Sequence, residues 1–161
     1  MVGGIGRFFG RLGERAALRS ALDFEEEIHG LYKSLSDELA GQTLPEELLR
    51  VLSDEREHKR LLHGILEGRI SEEEAQAVLS RGRFHELERV GPLDRERFGP
   101  LREKLGHIRE REGEIRQLFR SLCRKTKLPA ARRVLCFLAA QEDVHVQLLE
   151  RLLMNPRAQA K

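Results

Sequence analysis

The chain has 161 residues, enough for one domain with a sizeable core and no need of covalent staples. Its 29 basic and 27 acidic residues nearly cancel to a formal +2, and no basic block argues for nucleic acid. No apolar run approaches the ~18 residues of a membrane span, and a composition rich in Leu, Arg and Glu, with 5% aromatics, reads as helical.

In chain order, residues 1–13 are broken by Arg7 and Arg11 and lack the apolar core of a signal peptide. They read as a lead-in to a helix rather than a membrane-surface anchor, and the expected location is cytoplasmic. A first helix, about 14–40, aligns Leu18, Leu22, Glu25, Ile28, Tyr32, Leu35 and Leu39 on one stripe. Gly41 and Pro45 punctuate a turn. A second helix, about 45–68, aligns Leu48, Val51, Leu52, Glu55, His58, Leu62 and Ile65, and Gly68 ends it. Residues 69–94 form a long crossover holding a short helix, with Ser71 and Glu74 in capping-box relation. A third helix, about 95–126, lines up Leu101, Leu105, Ile108, Glu112, Ile115, Phe119 and Leu122. Pro129 opens a fourth, about 129–154, carrying Leu135, Leu138, Glu142, His145, Leu149 and Leu152. Cys123 and Cys136 are too few for a disulfide framework and form no C-x-x-C pair. They lie symmetrically about the turn near Pro129 and could face each other there, but the habits of free cysteine favour two buried, reduced thiols.

The chain repeats itself at an offset of 87 residues. The pattern E-x-E-I-x-x-L-aromatic-basic-S-L begins at Glu25 and again at Glu112, and an E-x-x-H follows each, Glu55 to His58 and Glu142 to His145. The offset holds from 25 to 112, 55 to 142 and 58 to 145. The two hairpins, about 14–68 and 101–154, are therefore expected to be related by a pseudo-two-fold axis. Within each hairpin the ligand-type residues are equidistant from the turn, so antiparallel helices bring them level, roughly 22 Å from it. One E-x-x-H is weak on its own; two, each thirty residues after a Glu and each within an apolar stripe, form the ligand set of a two-metal carboxylate site in a four-helix bundle. Solvated face charges repeated by gene duplication would not lie between Leu22 and Ile28, or between Ile108 and Ile115, where a bare carboxylate is prohibitively costly. Two divalent ions would cancel the four buried charges and leave the loaded chain near +6. Carboxylate and imidazole suit iron or manganese, with zinc able to substitute.

On those six ligands, their spacing and the Tyr seven residues after the first Glu, the chain resembles the ferritin-like superfamily over about residues 14–154. The resemblance is to the erythrin domain of rubrerythrins and, more distantly, bacterioferritin. It implies an all-α, ferritin-like antiparallel four-helix bundle with one long crossover between the second and third helices. It also implies two iron ions, with Glu25 and Glu112 as terminal ligands, Glu55 and Glu142 bridging, and His58 and His145 each capping one metal. Two departures stand out. No paired C-x-x-C of a rubredoxin module is present, so electrons are expected from an external donor. The additional site Glu of rubrerythrins, three residues after the third-helix Glu, is Ile115 here.

Tyr32 is a candidate catalytic residue, two turns from Glu25, whose hydroxyl could bond a ligand carboxylate; a plain core tyrosine is the alternative. Asp54 and Gln141 each precede a bridging Glu and are the candidates to hold a ligand imidazole across the bundle, Asp54 with His145 and Gln141 with His58. His29 is expected to be partly exposed, and His63, His85 and His107 to lie on the surface. The expected function is a di-iron oxidoreductase in which ferrous iron reduces peroxide or dioxygen. A non-catalytic iron-handling or sensor protein is the alternative, and di-iron hydroxylation the third. Self-association into a homodimer is left open, with no nucleic-acid or membrane partner expected.

Overall fold

The computed structural model describes residues 13–39, 41, 43–82, 87 and 90–154. The lead-in at residues 1–12 and His85 lie outside the described residues. Helix α1 spans Glu14–Glu38, α2 Glu46–Leu66, α3 Glu72–Arg81 and α4 Arg95–Phe98; a 3-10 turn, Gly99–Leu101, then leads into α5, Arg102–Lys125, and α6 spans Pro129–Leu153. No helix among the described residues is long and apolar enough to cross a membrane.

Each boundary has a local cause. Gly41 turns the chain after α1 at φ +90°, and Gly68 ends α2 at φ +68°, a conformation side chains resist. Ser71 caps α3 by accepting from the Glu74 amide at 3.1 Å. Asp94 does the same for α4, accepting from Glu96 at 2.9 Å. Pro129 starts α6, where its missing N–H would have had no partner anyway. One expectation needs correcting: a single third helix from about 95 does not form. Pro100 cannot donate and its ring crowds the preceding turn, so the chain passes through the 3-10 turn before α5 begins.

α1 packs on α2 and α5, and α6 packs on α5 and α2, which closes a four-helix bundle; α3 lies against α6. Directions follow from the cross-links. Lys104 meets Glu38 while Arg111 meets Glu27, so α5 runs antiparallel to α1. Arg15 reaches the Leu66 carbonyl at 3.0 Å, which puts the end of α2 beside the start of α1. Arg97 reaches the Thr43 carbonyl at 3.5 Å, at the opposite end. The connection from α2 to α5 therefore travels the length of the bundle, as a single crossover should.

The expected stripes form the core. Ile28, Tyr32, Leu35, Val51, Leu62, Ile108, Ile115, Phe119, Leu135, Leu138 and Leu149 are all fully buried. Leu22 and Leu52 are only partly buried and pack on its edge, while Ala21 and Leu61, outside the expected stripes, are fully buried. The cysteines are the second correction. Cys123 on α5 and Cys136 on α6 form a disulfide with Cα atoms 4.9 Å apart, and both residues are only half-buried. Their symmetric placement about the α5–α6 turn makes the pairing, and it outweighs the general habit of free cysteine.

Candidate metal centre

Four glutamates and two histidines meet at mid-bundle. Glu25 comes from α1, Glu55 and His58 from α2, Glu112 from α5, and Glu142 and His145 from α6; none is more than 1% exposed. The i, i+3 spacing of each E-x-x-H puts its carboxylate and imidazole on one helix face. The six residues form two overlapping quartets whose ligand atoms lie within 4.8 Å of one another. One quartet is Glu25, Glu55, His58 and Glu142; the other is Glu55, Glu112, Glu142 and His145. Glu55 and Glu142 belong to both.

The histidines are oriented from behind. His58 Nε2 lies 2.8 Å from Gln141 Oε1, and His145 Nε2 lies 3.2 Å from Asp54 Oδ2. With Nε2 engaged by these oxygens, Nδ1 of each ring faces the carboxylates, where an unprotonated ring could ligate a metal. His58 Nδ1 is 2.8 Å from Glu142 Oε1 and 3.3 Å from Glu25 Oε1. His145 Nδ1 is 3.1 Å from Glu55 Oε1 and 3.5 Å from Glu142 Oε2. The two rings stack with centroids 5.5 Å apart.

The repeat is broken at Tyr32 as well as at Asp54 and Gln141. Tyr32 is fully buried and its hydroxyl donates to Glu112 Oε1 at 2.7 Å. Its repeat mate Phe119 has no hydroxyl and instead meets His58 edge-on, ring centroids 6.5 Å apart. Ile115 is fully buried where the resemblance would place one more carboxylate.

Electrostatics show what the cluster lacks. Burial, with the nearby Glu55 charge, raises the Glu25 carboxyl well above its usual range. Burial and Glu142 push Glu112 up to about 8. Burial alone would lower both histidines, yet the surrounding carboxylates hold them well above the ordinary value. Burial and Glu112 raise the Tyr32 hydroxyl as well, so it stays a donor. Both oxygens of Glu25, Glu55 and Glu142, and Oε2 of Glu112, accept no hydrogen bond among the described residues. Buried carboxylates without donors are rare and costly. A pair of divalent cations would supply both the missing charge and the missing partners, so the residues fit a two-metal group on their own geometry.

The other histidines lie elsewhere. His29 is partly exposed, and His63 and His107 are on the surface. Burial and Lys59 lower the His29 value. The expected set omitted the wall behind the imidazoles. Asp54 and Gln141 line a cavity of about 180 Å³ together with Glu57, Val78, Arg81, Gly82 and Phe137. Arg81 and Gly82 come from the crossover, and no periodicity signals where a short helix will dock. Asp143, next to Glu142, is held by Arg116 at 3.0 Å and Arg120 at 2.5 Å.

The family model described as rubrerythrin matches residues 16–153. The chain belongs to the rubrerythrin family. Its helices are accordingly the all-α, ferritin-like bundle of that family, and the buried Glu and His residues form a cluster of metal-binding type within it. No curated protein and no solved structure matches the chain.

Proposed function

We propose that this rubrerythrin-family protein is a non-haem di-iron oxidoreductase that takes peroxide to water or dioxygen to peroxide. The observation that carries the reading is the pair of quartets sharing Glu55 and Glu142. In this reading Glu25 with His58 would hold one metal, Glu112 with His145 the other, and the two shared carboxylates would bridge them. Iron, when bound, supplies two electrons from its ferrous form; manganese or zinc would fill the same donors with different redox behaviour.

The chain's own residues do the rest. Asp54 and Gln141 fix the imidazole rings and their tautomers through Nε2. Tyr32 holds one oxygen of Glu112, which restrains that carboxylate and keeps a hydroxyl proton at the edge of the cluster. Fully buried neighbours such as Ile28, Ile108 and Ile115 keep bulk water away, so charges at the site are screened little.

The test is anaerobic loading with ferrous ion, then separate challenge with peroxide and with air. Oxidation by stoichiometric peroxide much faster than that of free iron, repeated when a donor is added, supports the reading. A single sluggish oxidation that no donor can repeat would replace it with iron handling or sensing.

A further inference from the structure

Each turnover on peroxide draws two electrons from outside the site, and the only cysteine pair in the chain is Cys123–Cys136, a two-electron couple. The disulfide bridges α5 and α6, the helices that carry Glu112, Glu142 and His145. It opens into a surface groove of about 380 Å³ lined by both cysteines with Arg120, Arg124, Ala139, Ala140 and Asp143. Its openness has a local cause. One turn beyond Cys136 on α6 stand Ala139 and Ala140, too short to cover a sulfur. One turn before Cys123 on α5, Arg120 is drawn toward Asp143. A staple needs no such access, and these two helices are already joined by a tight turn and packed on each other. The groove lies close to the site along α6: Asp143 is the sequence neighbour of Glu142, and Cys136 lies six residues before Glu142 on the same helix, about 9 Å of axial rise.

We propose that Cys123–Cys136 is an exchange-active disulfide, reduced by an external dithiol in this groove, through which electrons enter the protein for use at the metal cluster. The inference rests on the peroxide-reducing reading above. In the reductive half, a donor thiolate attacks the sulfur of Cys136 on its alanine-flanked side, forming a mixed disulfide. Cys123 leaves as a thiolate beside Arg120 and Arg124, whose positive charges favour the anion. The donor's second thiol then displaces Cys136, so the donor ends as a disulfide and the protein as a dithiol, with two electrons and two protons transferred. In the oxidative half the two thiols give up two electrons and two protons, the Cys123–Cys136 bond re-forms, the O–O bond of peroxide breaks, and two waters result.

The experiment uses the full chain and reads thiols as well as turnover. Native protein is treated with excess dithiothreitol as the dithiol probe, and free thiols are counted by maleimide mass shift while helix content is followed. Two thiols per chain should appear with helix content unchanged; a disulfide that is reduced only after unfolding overturns the proposal. The reduced, ferrous-loaded protein then receives one equivalent of peroxide without air. Loss of two thiols per peroxide is expected, with retention of both in metal-free protein. C123S and C136S, each checked for native helix content, should stop after one oxidation with dithiothreitol as donor and recycle again with a non-thiol one-electron donor. Cysteine variants that turn over on dithiothreitol as wild type does would overturn the inference and leave the peroxidase reading standing. Iron that peroxide fails to oxidise in wild type and variants alike would remove that reading, and the inference with it.

Discussion

At the scale of single residues the two halves of the site are unequal. The Glu112 and His145 half has Tyr32 donating to its carboxylate and the anionic Asp54 behind its imidazole. The Glu25 and His58 half has neutral Gln141 and, at the tyrosine's repeat position, Phe119. An anionic acceptor makes an imidazole a better donor and fixes its tautomer, and losing such a partner typically costs ~10–100-fold in metal affinity. Asp54→Ala is therefore expected to weaken one site within that range, and more than Gln141→Ala weakens the other. Tyr32→Phe should act on the same site as Asp54→Ala. Anaerobic ferrous titration of the three variants reads this; equal affinities at both sites throughout would remove these residues from the centre.

The same residues set how the metal-free protein responds to pH. Glu112 is raised from 4.5 to about 8, Glu25 is raised as well, and both histidines are held above their ordinary value. A group whose folded value is raised stabilises the fold below its unfolded value and loses that contribution as pH climbs through the folded one. Glu142, held down at about 2, has the opposite sign, but its effect falls below pH 4.5. The metal-free protein should therefore lose thermal stability steadily between pH 4.5 and about 8. With metal bound that loss should disappear. Melting temperatures taken with and without chelator test this, and a metal-free curve that rises across the window would contradict it.

Among the elements, α3 joins the crossover to the site. Gly82, just after α3, packs so close to Phe137 that a Cβ would sit 2.2 Å from the ring's Cε2. Phe137 and Gly82 both line the cavity behind Asp54 and Gln141. Gly82→Ala should destabilise the fold by about 1–3 kcal/mol through overpacking. The measurement is chemical denaturation, and no change in midpoint would show that the ring moves aside freely. Much of this architecture is legible in sequence because it is local and periodic. Heptad-like stripes locate α1, α2, α5 and α6, and the 87-residue offset pairs the six cluster residues before any contact is known. A pseudo-two-fold axis also relates the two imidazole contacts, Asp54 with His145 and Gln141 with His58, since each is the other carried over by the offset. What escapes is set by chemistry outside those periods. Pro100 interrupts a stripe that otherwise continues from Phe98 to Leu122. Cys123 and Cys136 share a place across a turn, which composition habits do not register. The docking of α3 depends on fit against α6, for which a ten-residue amphipathic segment carries no address.

For the whole molecule, the bundle holds a charge problem that only its contents resolve. Without metal the four buried carboxylates depend on retained protons and on the histidines for compensation, so metal, which replaces those protons, should stabilise the fold in proportion to occupancy and affinity. A clear rise in melting temperature with ferrous ion is expected in wild type, and its absence would mean the cluster is held together by protons instead. The two-metal claim itself is tested most directly by stoichiometry: anaerobic ferrous titration of the wild type beside Glu142→Ala and Glu150→Ala. Glu142 is shared by both quartets, whereas Glu150 is exposed on the same helix. Two ions per chain are expected for the wild type and for Glu150→Ala, with loss of the second ion in Glu142→Ala. Full two-ion binding by Glu142→Ala, or a wild type that binds fewer than two, would contradict the assignment.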